Sequence, residues 1–205
     1  MAEKNSTSGK TKTVTNKDAA KSTDTSKKDK LNNPMRLIRV TKVTLNIGTG
    51  KDQVLLEKAL KLMKQITGIP PVKTITQKRI AAWGLRPGLP IGCKITLRNQ
   101  QALDILPRML AAKEFKLGDD NFDDNGNISF GIKEYIDIRD AKYDPEIGII
   151  GLQCSITLER AGFRIKRRKL LNKTIPNNHR ILKKDSMDFM KKQFGVKYAS
   201  EEDAD

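Results

Sequence analysis

Apolar residues along the chain recur at two spacings, and the switches between them mark the elements. Val43, Leu45 and Ile47 alternate with Lys42, Thr44 and Asn46, which predicts a strand over 36–47 closed by Gly48-Thr49-Gly50. The period then lengthens. Leu55, Ala59, Leu62 and Ile66 form one helical stripe, so a helix is expected over 51–66, stopped by Gly68 and Pro70-Pro71. A short extended piece follows over 71–76. Ile91, Cys93, Ile95 and Leu97 alternate with Lys94, Thr96 and Arg98, predicting a strand over 91–98. Leu103, Leu106 and Leu110 mark a second helix over 100–112, kinked at Pro107. Strands are expected over 129–138 and 149–158, the second with Leu152, Cys154, Ile156 and Leu158 set against Gln153, Ser155 and Thr157. Asp185 or Ser186 is the expected cap of a last helix that gathers Met187, Met190 and Phe194 on one side.

Strands outnumber any repeating strand–helix–strand unit. The expected class is therefore α+β: a two-layer sandwich, a largely antiparallel sheet with helices on one face, preceded by a disordered N-terminal tail. Three segments are expected: a Lys/Ser/Thr-rich tail at 1–32, a single folded domain at 33–196, and an acidic C-terminal tail at 197–205.

Composition changes this picture at the N-terminus. Hydrophobic residues make up 37% of the chain, against about 45–50% for globular proteins. Residues 1–30 account for part of the deficit, with ten Ser or Thr, eight Lys and four acidic residues. Such a segment cannot bury enough apolar surface to offset its ordering entropy, hence the expectation of disorder. It has no apolar core of a secretory signal, and no stretch of the chain is apolar enough to span a membrane. Cys93 and Cys154 stand alone, and His179 is the one histidine. A structural zinc site needs about four clustered ligands, so none is expected, and no cofactor is expected either.

Charge points to a partner. The net charge is +16, from 40 Lys and Arg against 24 Asp and Glu. Residues 160–184 hold ten Lys or Arg and no acid: Arg160, Arg164, Lys166, Arg167, Arg168, Lys169, Lys173, Arg180, Lys183 and Lys184. Gly162, Pro176 and Asn177-Asn178 interrupt the run, so one simple amphipathic helix is not expected. Surface charge is normally mixed in sign, and a dense single-sign segment is the footprint of a polyanion. A merely solvated charged face is the plain alternative. The strand positions opposite the core, Lys42, Asn46, Lys94, Thr96, Arg98, Gln153, Ser155 and Thr157, are small polar or basic groups suited to phosphate and sugar contacts. A loop over 77–90 adds Lys78, Arg79, Arg86 and the single tryptophan, Trp83.

Sharper motifs fail. Gly9-Lys10-Thr11 lacks the earlier glycine of a phosphate loop, since position 4 is Lys. Residues 121–132 resemble a calcium loop, but the twelfth position is Ile132 where a bidentate Glu belongs. Asn125-Gly126 reads better as a hairpin turn with positive φ at both residues. Glu134, Asp137, Asp140 and Asp144 lie among Lys133, Arg139 and Lys142, where surface pairing explains them. His179 has no carboxylate within four residues to orient it as a base, and an RNA contact suits it as well. No nucleophile–base pair stands out, so the chain is not expected to be an enzyme.

A series of short motifs, taken together, carries a family likeness. They are Asn33-Pro34-Met35-Arg36, Lys42 to Gly48, Leu62 to Gly68, Gly84-Leu85-Arg86, Leu89 to Lys94, Asn121-Phe122-Asp123, Phe130 to Glu134, Lys142 to Ile149, and Arg160 to Arg164 with the basic run. In this order they resemble the universal ribosomal large-subunit protein five family, whose eukaryotic member is numbered eleven. The likeness covers about residues 33–196. The Arg164–Lys184 stretch and the Leu89-Pro90-Ile91-Gly92 turn are similar to the archaeal branch. Two positions depart: Ala161 stands where the family has Pro, and Ile69 where it has Gln or Val.

The resemblance implies a structural ribosomal protein of the cytoplasmic large subunit that holds 5S rRNA in the central protuberance. It also implies contacts with large-subunit rRNA, other central-protuberance proteins, a small-subunit head protein across the intersubunit bridge, and P-site tRNA. By position, Asn33, Met35, Arg36, Lys42, Asn46, Thr67 and Gly68 would serve 5S rRNA, and strand alternation adds Lys94, Thr96 and Arg98. Arg164, Lys166, Arg167, Arg168 and Lys169 would meet large-subunit rRNA. A mobile loop over 74–83, with Thr74, Thr76, Gln77, Lys78 and Arg79, would reach tRNA. A free RNA-binding chaperone or assembly factor is the alternative; retention on large subunits through a salt wash argues against it.

Overall fold

The computed structural model describes residues 33–198. The expected N-terminal tail and the last residues, 199–205, lie outside the described part. The chain divides into two units, 1–37 and 38–205. In the first, Pro34–Arg36 forms a single 3-10 turn, with the Asn33 side chain accepting a hydrogen bond from the Met35 amide at 2.9 Å. Pro34 starts that turn, and so the first strand begins at Ile38, two residues later than its sequence pattern suggests.

The second unit is built on a five-stranded antiparallel sheet. Its strands are β1 (Ile38–Gly48), β2 (Val72–Ile75), β3 (Pro90–Arg98), β5 (Asn127–Ile132) and β6 (Leu152–Arg160), in the order β2-β3-β1-β6-β5. Two residues each of β4 (Lys116–Leu117) and β7 (Lys197–Tyr198) form a small parallel pair. The helices are α1 (Gln53–Thr67), α2 (Asn99–Ala111) and α3 (Lys183–Phe194). This is the α+β sandwich expected from the pattern.

Side-chain parity divides the sheet. Val43, Leu45 and Ile47 of β1, Cys93, Ile95 and Leu97 of β3, and Leu152, Cys154, Ile156 and Leu158 of β6 are all buried. They join one core with Leu56, Ala59, Leu62, Met63 and Ile66 of α1 and Ala102, Ile105, Leu106, Met109 and Leu110 of α2. The helical stripes are turned slightly from the expected ones. Leu56 is buried where Leu55 is half-buried, and Leu103 is exposed because Ala102 and Ile105 face the sheet. Asp52 caps α1 by accepting from the Val54 and Leu55 amides, and Gly68 ends it with φ 71°, a conformation that costs other residues strain. The α2 helix runs through Pro107, which lies on its exposed side, so the missing bond falls where water can replace it.

Three expected boundaries move. The strand predicted over 129–138 ends at Ile132, because Tyr135 turns inward, fully buried, and bonds Ile150 through its amide and Asp144 through its hydroxyl. The strand predicted from 149 begins at Leu152, since Gly151 passes so close to the preceding strand that a Cβ there would lie 2.8 Å from the Lys133 carbonyl. The hairpin before β5 has positive φ at Gly126 but not at Asn125. Its Asp123 amide bonds Asn127 across a bulged turn, and the Asn127 side chain holds the Asp123 carboxyl below its ordinary pKa. This turn packs on Ile181, which leaves no room for a Cβ at Gly126.

The α3 helix starts at Lys183, so Asp185 is inside its first turn rather than before it. Asp185 still serves the helix end, accepting from the Leu182 amide at 3.3 Å. Residues 197 and 198, assigned by composition to an acidic tail, are ordered into β7. Lys197 donates to the Phe115 carbonyl, and Tyr198 stacks edge-on against Phe122 and donates its hydroxyl to Met187. No helix among the described residues is long and apolar enough to cross a membrane.

The division of faces makes a paired prediction. Cys93 is completely buried, and burial pushes its thiol up to about 11 and that of Cys154 up to about 12. Cys93→Ser places a hydroxyl among apolar neighbours and should cost about 1–3 kcal/mol of stability in urea unfolding. Lys94→Ala, one residue along on the exposed face, should stay within about 0.5 kcal/mol of wild type. Equal losses would mean that the faces of β3 are misassigned.

Candidate nucleic-acid interface

Helices cover one face of the sheet; the other presents cross-strand rows of polar side chains. Arg98, Lys42, Thr157 and Asn127 form one row, through the pairs Lys42–Arg98, Lys42–Thr157 and Asn127–Thr157. Thr96, Thr44, Ser155 and Ser129 form the next, and Lys94, Asn46, Gln153 and Gly131 the third. Neighbours within the rows hold one another: the Asn46 amide donates to Gln153 at 3.2 Å, and the Ser129 hydroxyl donates to Ser155 at 3.1 Å. Apart from Val72 on the edge strand, no large apolar group stands on these rows. A surface of hydroxyls, amides and cations can hydrogen-bond 2′-hydroxyls and phosphates.

The predicted sheet residues Lys42, Asn46, Lys94, Thr96 and Arg98 are therefore brought together on one face. Thr67 and Gly68 are not. They end α1 in the helical layer, and the Thr67 hydroxyl donates to the Met63 carbonyl at 2.7 Å. Asn33, Met35 and Arg36 belong to the first unit, within their own 3-10 turn.

The acid-free run continues the same surface, for a reason found at the end of β6. Two residues there, Glu159 and Arg160, are both buried, and each grips the run. Glu159 follows the open face by parity and pairs with Arg167 at 2.9 Å. Arg160 points to the other layer, where it pairs with Asp185 of α3 at 2.9 Å and donates to the Arg180 carbonyl at 3.0 Å. His179 adds a third tie, its Nε2 lying 2.9 Å from the Ala161 carbonyl and its ring edge-on to buried Phe163. Arg160 is thus structural rather than a free cation of the run, and His179 is tied into the fold through Nε2.

The longest outward stretch of the run begins at Arg164 and is exposed through Lys173. Arg164 and Lys169 make no side-chain bond or ion pair among the described residues, whereas Lys166 lies over the Phe163 ring and Arg168 donates to the Leu171 carbonyl. Arg39, Thr41, Asn99, Glu159, Arg164 and Arg167 border a polar recess of about 360 Å³ where the run meets the open face. The sheet pairing and this recess join two basic regions far apart in sequence. Glu159 gave no signal in the sequence, being a lone acid at a strand end.

The loop between β2 and β3 is an anchored excursion rather than an open arm. Thr76, expected to face tRNA, is buried and donates its hydroxyl to the Leu89 carbonyl at 3.1 Å. Ile80 and Leu85 pair through two backbone bonds around the short turn Ala81–Trp83. Thr74 is half-buried in β2. Gln77, Lys78, Arg79 and Trp83 remain exposed at the tip.

The model of the family described as ribosomal protein L5 matches residues 33–86, and the model of that ribosomal family's C-terminus matches residues 90–189. The large ribosomal subunit protein uL5 of Sulfurisphaera tokodaii is 46% identical over 165 residues, 80% of this chain and 93% of that protein. The protein of the same name from Nanoarchaeum equitans is 46% identical over 81% of this chain and 98% of its own length. That of Methanobrevibacter smithii is 39% identical over 82% and 99%.

The grip on the basic run can be tested by itself. Asp185→Ala removes the partner of an Arg160 side chain that is only 7% exposed, and it frees the Leu182 amide. The expected loss is about 1.5–3 kcal/mol, the range for a hydrogen bond to a charged group, read from urea unfolding. An unchanged midpoint would show that Arg160 does not need this pair.

Proposed function

The chain belongs to the ribosomal protein L5 family, and on that premise we propose that its open sheet face holds 5S rRNA in the central protuberance of the large subunit while its basic run meets large-subunit rRNA. The coarser part is plain: it is a non-enzymatic structural constituent of the large subunit of the cytoplasmic ribosome, associated with rRNA. The finer part rests on one observation. A face of small polar groups and an acid-free cationic segment form one continuous surface, joined by the Glu159–Arg167 pair.

On this reading, phosphate contacts by Lys42, Lys94, Arg98, Arg164 and Lys169 set position, while Asn46, Thr96, Gln153 and Ser155 bond sugars or base edges. A-form RNA presents its 2′-hydroxyls in a wide, shallow groove that a nearly flat sheet can approach. The tip of the β2–β3 loop, with Gln77, Lys78, Arg79 and Trp83, is the proposed contact to P-site tRNA. A loop anchored at Thr76 and Leu89 can hold its tip in place while the ligand changes. Contacts to the small-subunit head and to other central-protuberance proteins complete the proposal.

In a gel shift, the protein should prefer 5S rRNA to an RNA of matched length. With about six phosphates neutralised, log affinity should fall against log salt with a slope of about −4 to −5. A slope near zero, or equal affinity for both RNAs, would remove the proposal.

The tRNA contact is tested separately. Lys78→Ala with Arg79→Ala should leave 5S rRNA binding near wild type and speed tRNA release from the P site of rebuilt ribosomes. Each screened contact contributes about 1 kcal/mol at most. Failed 5S rRNA binding with an unchanged tRNA off-rate would move this loop into the rRNA interface.

A further inference from the structure

The tip of the basic run carries two residues whose exposure the charge argument does not explain. Leu170 and Leu171 are each 77% exposed, the most exposed large hydrophobics of the described residues. They do not belong to a loose loop. The Arg168 amide donates to the Arg164 carbonyl at 3.0 Å, the Arg168 guanidinium donates to the Leu171 carbonyl at 2.7 Å, and the Lys173 amide closes back on Ile165 at 3.4 Å. Leu171 is held at φ 52°, in the left-handed region that a branched side chain adopts only under strain. An apolar pair turned to solvent on a strained and internally bonded turn is unfavourable twice over in the free protein. Both features fit a bound state in which the pair is covered.

We propose that Leu170 and Leu171 form an apolar wedge that packs against unstacked base faces of the rRNA held by the flanking cations. The identity of the occupant follows from charge. Arg164, Lys166, Arg167, Arg168, Lys169 and Lys173 flank the pair along the chain, no carboxylate lies between 160 and 184, and only Arg167 of these cations is paired with an acid, Glu159. A protein surface covering the leucines would have to bring carboxylates for the exposed cations beside them. RNA supplies phosphates for the cations and uncharged base faces between them, which matches apolar groups set within a cationic segment. Aliphatic side chains are used in this way where nucleic-acid bases are unstacked, filling the gap and excluding water. The inference rests on the reading of the run as rRNA-binding and adds to it a contact that salt does not screen.

That last property is the basis of the test. Full-length protein is titrated with deproteinised large-subunit rRNA over a range of salt. Leu170→Ser with Leu171→Ser should bind at least ten-fold more weakly with an unchanged log–log salt slope, because no cation is lost. Lys169→Ala with Lys173→Ala should instead flatten the slope by about one to two units. Leu170→Met with Leu171→Met should retain affinity. Leu171→Gly, which relieves the left-handed strain, should melt no lower than wild type yet bind more weakly. Thermal melts should show the serine variant as stable as wild type, since neither leucine is in the core.

Wild-type affinity in the double serine variant would overturn the wedge while leaving the rRNA reading intact. Absence of salt-dependent rRNA binding by the wild type would remove that reading itself. Wild-type RNA binding combined with loss of retention on assembled large subunits would assign the leucines to a protein neighbour, and that too would overturn the proposal.

Discussion

The central strand β1 constrains everything around it. It pairs with β3 on one side and β6 on the other, and its Val43, Leu45 and Ile47 lie under the helical layer. Because strand side chains alternate, burying these three turns Lys42, Thr44 and Asn46 outward, and the pairing carries that choice into both neighbours. A slip of one residue would bury two polar groups and a lysine and expose three aliphatic side chains. The polar face is therefore a consequence of the core, held in place by the same free energy that folds the protein.

The second constraint acts at the C-terminal end of β6. Ten cations in twenty-five residues repel one another and cannot compact unaided. The two acids that flank the run, Glu159 before it and Asp185 after it, supply the counter-charge from opposite layers. Arg160, next to Glu159, links the strand end to α3 and to the Arg180 carbonyl. These are pairs in which at least one partner is buried, so salt screens them far less than the exposed cations they position. The segment can thus keep its shape under salt conditions that screen its exposed cations.

A structural ribosomal protein works without chemistry of its own. On the proposed reading its side chains need only match the shape and charge of a folded RNA, and the two surfaces assigned to that match are braced from within. The open face is braced by Asn46–Gln153 and Ser129–Ser155, and the β2–β3 loop by Thr76 and the Ile80–Leu85 pair. Ordering these groups during folding lowers the entropy lost when the RNA binds.

Strand and helix periodicity, the helix stop at Gly68, the faces of β1, β3 and β6, and the density of cation over 160–184 are local properties, legible in the order of residues. Alternation decides which side of a strand is apolar before any partner strand is known. Local order could not decide which residues of the run are free. Arg160 and His179 look like exposed cations or ligands in the sequence, and only packing against Asp185, the Arg180 carbonyl and the Ala161 carbonyl buries the first and ties down the second. The same holds for Thr76, whose hydroxyl is taken by a carbonyl thirteen residues away, and for Leu103, turned outward by the fit of α2 to the sheet. Nor does the sequence join the open face to the basic run. That union depends on Glu159 meeting Arg167, a contact set by where β6 ends and the chain reverses at Gly162. Periodicity sorts side chains into faces within an element, whereas pairing between elements depends on distances that exist only after the core has closed.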